Sequence, residues 1–207
     1  MYLNMIQPEN KSLFLKLAAM VSLADISQRQ ENEAENSGSL VLKAMTEARE
    51  RSRGAAGKLS KFINRKKEEK AALKLYAKEM GMDIRSTDIE DLDTDVLNSI
   101  YNASETVSEK LFANVELRRQ FFQDGLEELL RTELQEDSVI PMTERKAMLF
   151  EATAMAYADG ECSDLERAVL NKLAEQFDVD EEFIDEAGEV VESFKNVTQE
   201  GLELINE

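Results

Sequence analysis

Apolar residues recur along most of this chain at intervals of three and four, the period of a helix with one buried face. Leu13, Leu17, Met20 and Ala24, with Phe14, Ala18 and Val21 beside them, predict a helix from about Pro8 to Asp25. Pro8 and Glu9 suit its first turn. Ala72, Leu73, Tyr76, Ala77 and Met80 form a second stripe, which Gly81 ends. Val96, Leu97, Ile100 and Tyr101 predict a short helix. Val107, Leu111, Val115, Phe121, Phe122, Leu126, Leu129, Leu130 and Leu134 predict one long or two shorter helices before Pro141, with Gly125 as a point of kinking. Three more helices follow: Thr143 to about Asp159, Ser163 to Phe177, and one capped by Asp180. The last has an apolar face of Phe183, Ala187, Val190, Phe194, Val197 and Ile205. No segment alternates with a period of two, so the expected fold is all-α.

The intervening segments are polar. ISQRQENEAENSGS, after Asp25, reads as a loop, and Ser86 to Asp95 as an acidic turn. Leu40 to Arg53 fits a weak helix that GAAG, Gly54 to Gly57, would break.

Two pairs of helices match one another. LFLKLAAMVSLAD (13–25) lies over AMLFEATAMAYAD (147–159) without gaps, pairing Phe14 with Met148, Ala18 with Ala152, Val21 with Met155 and Asp25 with Asp159. AALKLYAKEMGMD (71–83) lies over AVLNKLAEQFDVD (168–180). The expectation is one helical domain, 1–207, built from two related helical hairpins that share a core. That core comprises 1–25, 71–83 and 143–207, with a basic insertion at 26–70 and a helical insertion at 86–141.

Charge sharpens this picture. The 207-residue chain carries a net −18, which disfavours nucleic acid and anionic membranes as partners of most of its surface. Residues 43–70 reverse the sign, with ten Lys or Arg against four Glu, a net +6. This stretch reads as a solvated helix packed on the acidic body. Its part at 58–70, with Leu59, Phe62 and Ile63, also fits peripheral contact with an acidic partner or anionic lipid. No apolar stretch is long enough to span a bilayer, and the single Cys fits a reducing cytoplasm.

The chain has no His. That excludes Ser-His-Asp and Cys-His catalysis, and His-containing zinc or di-iron sites. One Cys likewise cannot build a thiolate zinc site. Any metal would be held by oxygen ligands, which selects Ca²⁺, Mg²⁺ or Mn²⁺.

The stretch YADGECSDLE (157–166) concentrates the candidate chemistry. It is not an EF-hand: with Gly160 at loop position 6, Met155 and Tyr157 fall where oxygen ligands are needed. Gly160 suits a helix end, and Ser163 with Glu166 forms an S-x-x-E capping box, which contributes about 1 kcal/mol. Cys162 stands between carboxylates that raise a thiol's pKa, which speaks against reactivity. Asp159 and Glu166 also lie on the inward stripes of their helices, and Asp25 is the repeat counterpart of Asp159. Asp159 and Asp25 would each sit at a helix C-terminus, where the dipole disfavours an anion. Two readings therefore stand for Asp25, Asp159 and Glu166: helix-turn structure, or an oxygen-ligand site for Ca²⁺ or Mg²⁺.

EATAMAYADGECSDLERAVLNKLAEQFDVDEEFI (151–184) resembles the tellurite-resistance TerB-like family, in which Ala-Asp-Gly is followed by a Glu seven residues after the Asp. Here these are Ala158, Asp159, Gly160 and Glu166. The resemblance covers about 143–192, and partially 3–25 and 71–83. In the first half Ile26 stands in place of the Gly and Asn32 in place of the Glu, so only Asp25 survives. The resemblance implies an all-helical bacterial cytoplasmic protein of a stress or defence system, with an acidic surface that binds divalent cations, and it points to no established catalytic activity. The expected function is thus a non-enzymatic protein-interaction module. The alternatives are an acidic scaffold or decoy for a basic protein surface, and a metal-dependent hydrolase using Asp25, Asp159 and Glu166.

Overall fold

A computed structural model describes residues 2–33, 67–82, 86–103, 114–134 and 139–206. Among the described residues there are seven α-helices and no strand, as the periodicity predicts. They are α1 (Lys11–Glu33), α2 (Lys67–Glu79), α3 (Ser86–Ala103), α4 (Val115–Glu133), α5 (Met142–Ala156), α6 (Asp164–Phe177) and α7 (Glu182–Asn206). Two short 3-10 turns, Leu3–Met5 and Pro8–Asn10, precede α1.

The middle of α1 is apolar on every side, and such a helix is stable only when surrounded. Leu13, Phe14, Leu15 and the run from Leu17 to Val21 are all buried. The helices α2, α3, α4, α5 and α6 all pack against it. Each Leu or Phe enclosed this way contributes about 1.5–3 kcal/mol relative to an exposed position. Its repeat partner α5 is nearly as enclosed, through Ala147, Met148, Leu149, Ala152 and Met155. The two helices lie side by side and run parallel. At their N-terminal ends Asn10 Nδ2 donates to Glu144 Oε1 at 2.9 Å, and further along Asp25 of α1 meets Asp159 just past the end of α5.

The matched segments reproduce each other's contacts. Lys11 Nζ donates to the Met80 carbonyl at 2.6 Å, at the end of α2. The counterpart Arg145 Nη1 donates to the Phe177 carbonyl at 3.0 Å, at the end of α6. Both helix ends close with a left-handed residue, Gly81 at φ 73° and Asp178 at φ 54°. Each then carries the same back-bonds: Met82 N to Ala77 O at 2.7 Å, and Val179 N to Ala174 O at 3.0 Å. A cation and a left-handed cap at the same place satisfy the same orphan carbonyls twice.

The second insertion, 86–141, is part of this core. Its Ile89, Val96, Ile100, Phe121, Leu126 and Leu129 join the cluster formed by α1. Lys16 of α1 binds Asp95 of α3 at 3.0 Å and Glu133 of α4 at 2.8 Å.

Several expectations are corrected. Helix α1 continues past Asp25 into the supposed loop as far as Glu33, and the rest of that stretch, 34–39, lies outside the described residues. The acidic turn at Ser86 to Asp95 is the first half of α3, whose Ile89 and Leu92 supply a buried stripe among the acids. Helix α2 begins at Lys67, so residues 67–70 belong to the core helix and not to the basic insertion. Gly125 serves contact with α3: a Cβ there would lie 2.8 Å from the Ile100 Cα, while α4 runs unbroken from Val115 to Glu133. The weak helix at 40–53, the GAAG break, the positions of Val107 and Leu111, and the basic segment at 58–66 lie outside the described residues. No helix among the described residues is long and apolar enough to cross a membrane.

Candidate metal centre

Asp25 lies inside α1, two turns before its end. The helix-dipole penalty expected for it therefore falls away, because that penalty is confined to the last turn. Asp159 does follow the end of its helix: α5 stops at Ala156, and a turn carries the chain through Gly160 at φ 119°. Its Oδ1 accepts a hydrogen bond from the Glu161 N–H at 3.4 Å.

The structure brings Asp25 and Asp159 together, as their shared inward placement predicts. The third member of the set is Glu69, from the first turn of α2. Asp25, Glu69 and Asp159 each offer a carboxylate oxygen, and these oxygens lie within 4.8 Å of one another. Asp25 and Glu69 are buried, while Asp159 is half-buried. Ser22, one turn before Asp25 on α1, donates through Oγ to Glu69 Oε2 at 2.8 Å. Serine on the central helix thus orients a carboxylate on its neighbour.

Glu166 is buried beside this set and is engaged in the predicted capping box. The Ser163 N–H donates to its Oε2 at 2.8 Å, and its own N–H donates to Ser163 Oγ at 3.3 Å. Burial pushes its carboxyl up to about 8, with Asp25 and Asp159 adding to the rise against the bonds from Ser163. Its carboxyl therefore lies in the field of the other two acids.

Sequence reasoning missed Glu69. It stands in KKEEK, a run that reads as solvated surface, and Glu68 beside it is indeed exposed. The signal was present in the repeat. Extending the match of Ala71 with Ala168 two residues upstream sets Lys70 over Arg167 and Glu69 over Glu166. Glu69 and Glu166 are both the third residue of their helices. Asn32 is therefore not the counterpart of Glu166. The long segment between α1 and α2 displaces that counterpart to Glu69.

Cys162 follows its expected direction for a different leading reason. Burial pushes its thiol up to about 12, with Glu166 the next contributor. Such a thiol supplies no thiolate near neutral pH.

The three acids offer carboxylate oxygens, the donor type of hard divalent cations. The chain has no imidazole to join them. Comparison with family models, with curated proteins and with solved structures returns no match for this chain.

Proposed function

We propose that this chain is a non-enzymatic, TerB-like interaction module whose two halves are pinned at their centre by a divalent cation, Ca²⁺ or Mg²⁺. The observation that carries the cation reading is the convergence of Asp25, Glu69 and Asp159, drawn from two helices and the turn after a third, within 4.8 Å. Carboxylates held this close repel one another unless a cation, a shared proton or donor groups intervene. A cation there would bridge α1 and α2 of one half to the corner after α5 of the other. The match of Ala158, Asp159, Gly160 and Glu166 to the TerB-like pattern supports the same reading. The absence of His and the protonated single thiol support the non-enzymatic reading, since they remove the commonest acid-base and nucleophilic groups.

The test is thermal unfolding after EDTA treatment, with and without millimolar Ca²⁺, Mg²⁺ or Mn²⁺. A cation at about a hundred times its dissociation constant adds roughly 2.7 kcal/mol. For a domain of this size that raises the melting temperature by roughly 5–10 °C. Asp159→Asn, half-buried and at a turn, should abolish the rise while leaving the fold intact. No change with any of the three cations would sink the cation reading.

A further inference from the structure

The final helix has more apolar face than the body uses. Ile184, Ala187 and Val191, in its first half, are buried. Tyr157 packs there so closely that a Cβ on Gly188 would lie 3.0 Å from its hydroxyl oxygen. Beyond that point the stripe continues without cover among the described residues: Phe194 is 65% exposed, Val197 63%, Leu204 75% and Ile205 81%, with Val190 at its near end. Large apolar side chains exposed in a row, unlike scattered ones, mark an interaction surface.

The spacing of this row defines what fits it. Val190, Phe194, Val197, Gly201 and Leu204 follow at four, three, four and three, the 3.5-residue repeat of a helix-pairing seam. The seam is about 21 Å long at 1.5 Å per residue. Its rim is acidic: from Glu182 to Asn206 the helix holds seven carboxylates and one Lys. That Lys195 is turned away, donating to the Tyr157 carbonyl. Glu186 and Glu200 flank the stripe on one edge, while Thr198 and Ile205 lie on the other. A second copy would bring the same acids to the same short seam, and the chain's net −18 with them. An anionic bilayer is repelled for the same reason.

We propose that the face of α7 from Val190 to Ile205 is the docking site for a basic amphipathic helix of a partner protein, packed lengthwise along the seam. Apolar residues of the partner would fill the row around Phe194, and its Lys and Arg would face the Glu rim. This rests on the interaction half of the function proposed above and does not need the cation.

The test uses the full chain in EDTA and two labelled synthetic helical peptides. Both carry Leu at the seam positions; one has Lys and the other Glu at the flanking positions. Fluorescence anisotropy should show the Lys peptide binding at least about tenfold more tightly than the Glu peptide, since like charges across a seam oppose pairing. Phe194→Glu and Val197→Glu should each weaken the Lys peptide by about thirtyfold, the scale of losing an apolar anchor. Both sites are exposed, so their melting temperatures should stay unchanged. Equal binding by native and substituted chains would remove this surface while leaving an interacting protein. No binding at all would overturn both the surface and the interaction reading, and the cation-induced melting shift would still stand or fall separately. A native dimer dissociated by Phe194→Glu would assign the face to a second copy. Binding that appears only after Phe62→Glu would assign it to this chain's own basic segment. Either result overturns the proposal.

Discussion

The first pair of matched helices, α1 and α2, and the second, α5 and α6, reach the same acidic centre by different local means. In the second pair a short turn with Gly160 joins the helices, and Ser163 caps α6 while holding Glu166. In the first pair α1 runs on past Asp25 to Glu33, α2 begins only at Lys67, and Ser22 on the central helix holds Glu69. Their outer ends are alike, with Lys11 and Arg145 capping equivalent carbonyls. The difference teaches that a turn motif does not place these carboxylates. Helix packing places them, and a serine orients each glutamate, Ser22 through its hydroxyl for Glu69 and Ser163 through its backbone N–H for Glu166.

The largest expected effect comes from the shared core. Phe14→Ala, whose ring is fully buried against Tyr76 at 5.4 Å between centroids, should cost about 3–5 kcal/mol in urea unfolding. Its counterpart Met148→Ala should cost about 2–5 kcal/mol. Both variants should unfold in one transition, because α1 and α5 enclose each other. Two separate transitions would show that the halves are independent units.

The next effect concerns the pH dependence of the cation-free protein. Glu166 in the fold titrates near 8, above its ordinary 4.5, so between these values the folded state holds a proton that the unfolded chain releases. Its contribution is present below about pH 4.5 and is lost as pH rises through about 8. In EDTA, native stability should therefore fall across this window by up to a few kcal/mol, since each tenfold difference in proton affinity between the two states is worth about 1.4 kcal/mol. Glu166→Gln keeps a residue suited to the capping box and should flatten the slope. An unchanged slope in that variant would assign the pH dependence to other groups.

The smallest effect separates the two hydroxyls. Ser22→Ala removes a buried bond to a carboxylate and should cost about 1.5–3 kcal/mol. Ser163→Ala removes a cap at a half-buried corner and should cost about 1 kcal/mol. Chemical denaturation of both variants measures the order. The reverse order would make the corner, and not the central helix, the principal support of the acidic centre.

Much of this was legible in the residues. The capping box, the Gly81 helix end and the Asp180 cap, which accepts from the Glu182 N–H at 3.0 Å, depend on neighbours in sequence, and each is found where the pattern predicts. The loop predicted after Asp25 failed because a polar stretch of helix carries no apolar stripe to announce it. The start of α3 was hidden in the same way, by acids surrounding Ile89 and Leu92. Val190, Phe194, Val197 and Ile205 were correctly read as an apolar face, but periodicity does not say whether such a face meets the body of its own chain.

Sequence alone determined that the chain is helical, that it repeats itself, and that any metal chemistry must use oxygen. These follow from residue type and short-range spacing. Only the tertiary structure decided that Glu69 joins Asp25 and Asp159, and that the last half of α7 stays uncovered by the described residues. Both depend on where separate helices come to lie, and for Glu69 a long intervening segment hid its counterpart from gap-free matching. The physical reason is burial: KKEEK has the composition of a surface, and packing against α1 turned one of its two glutamates inward.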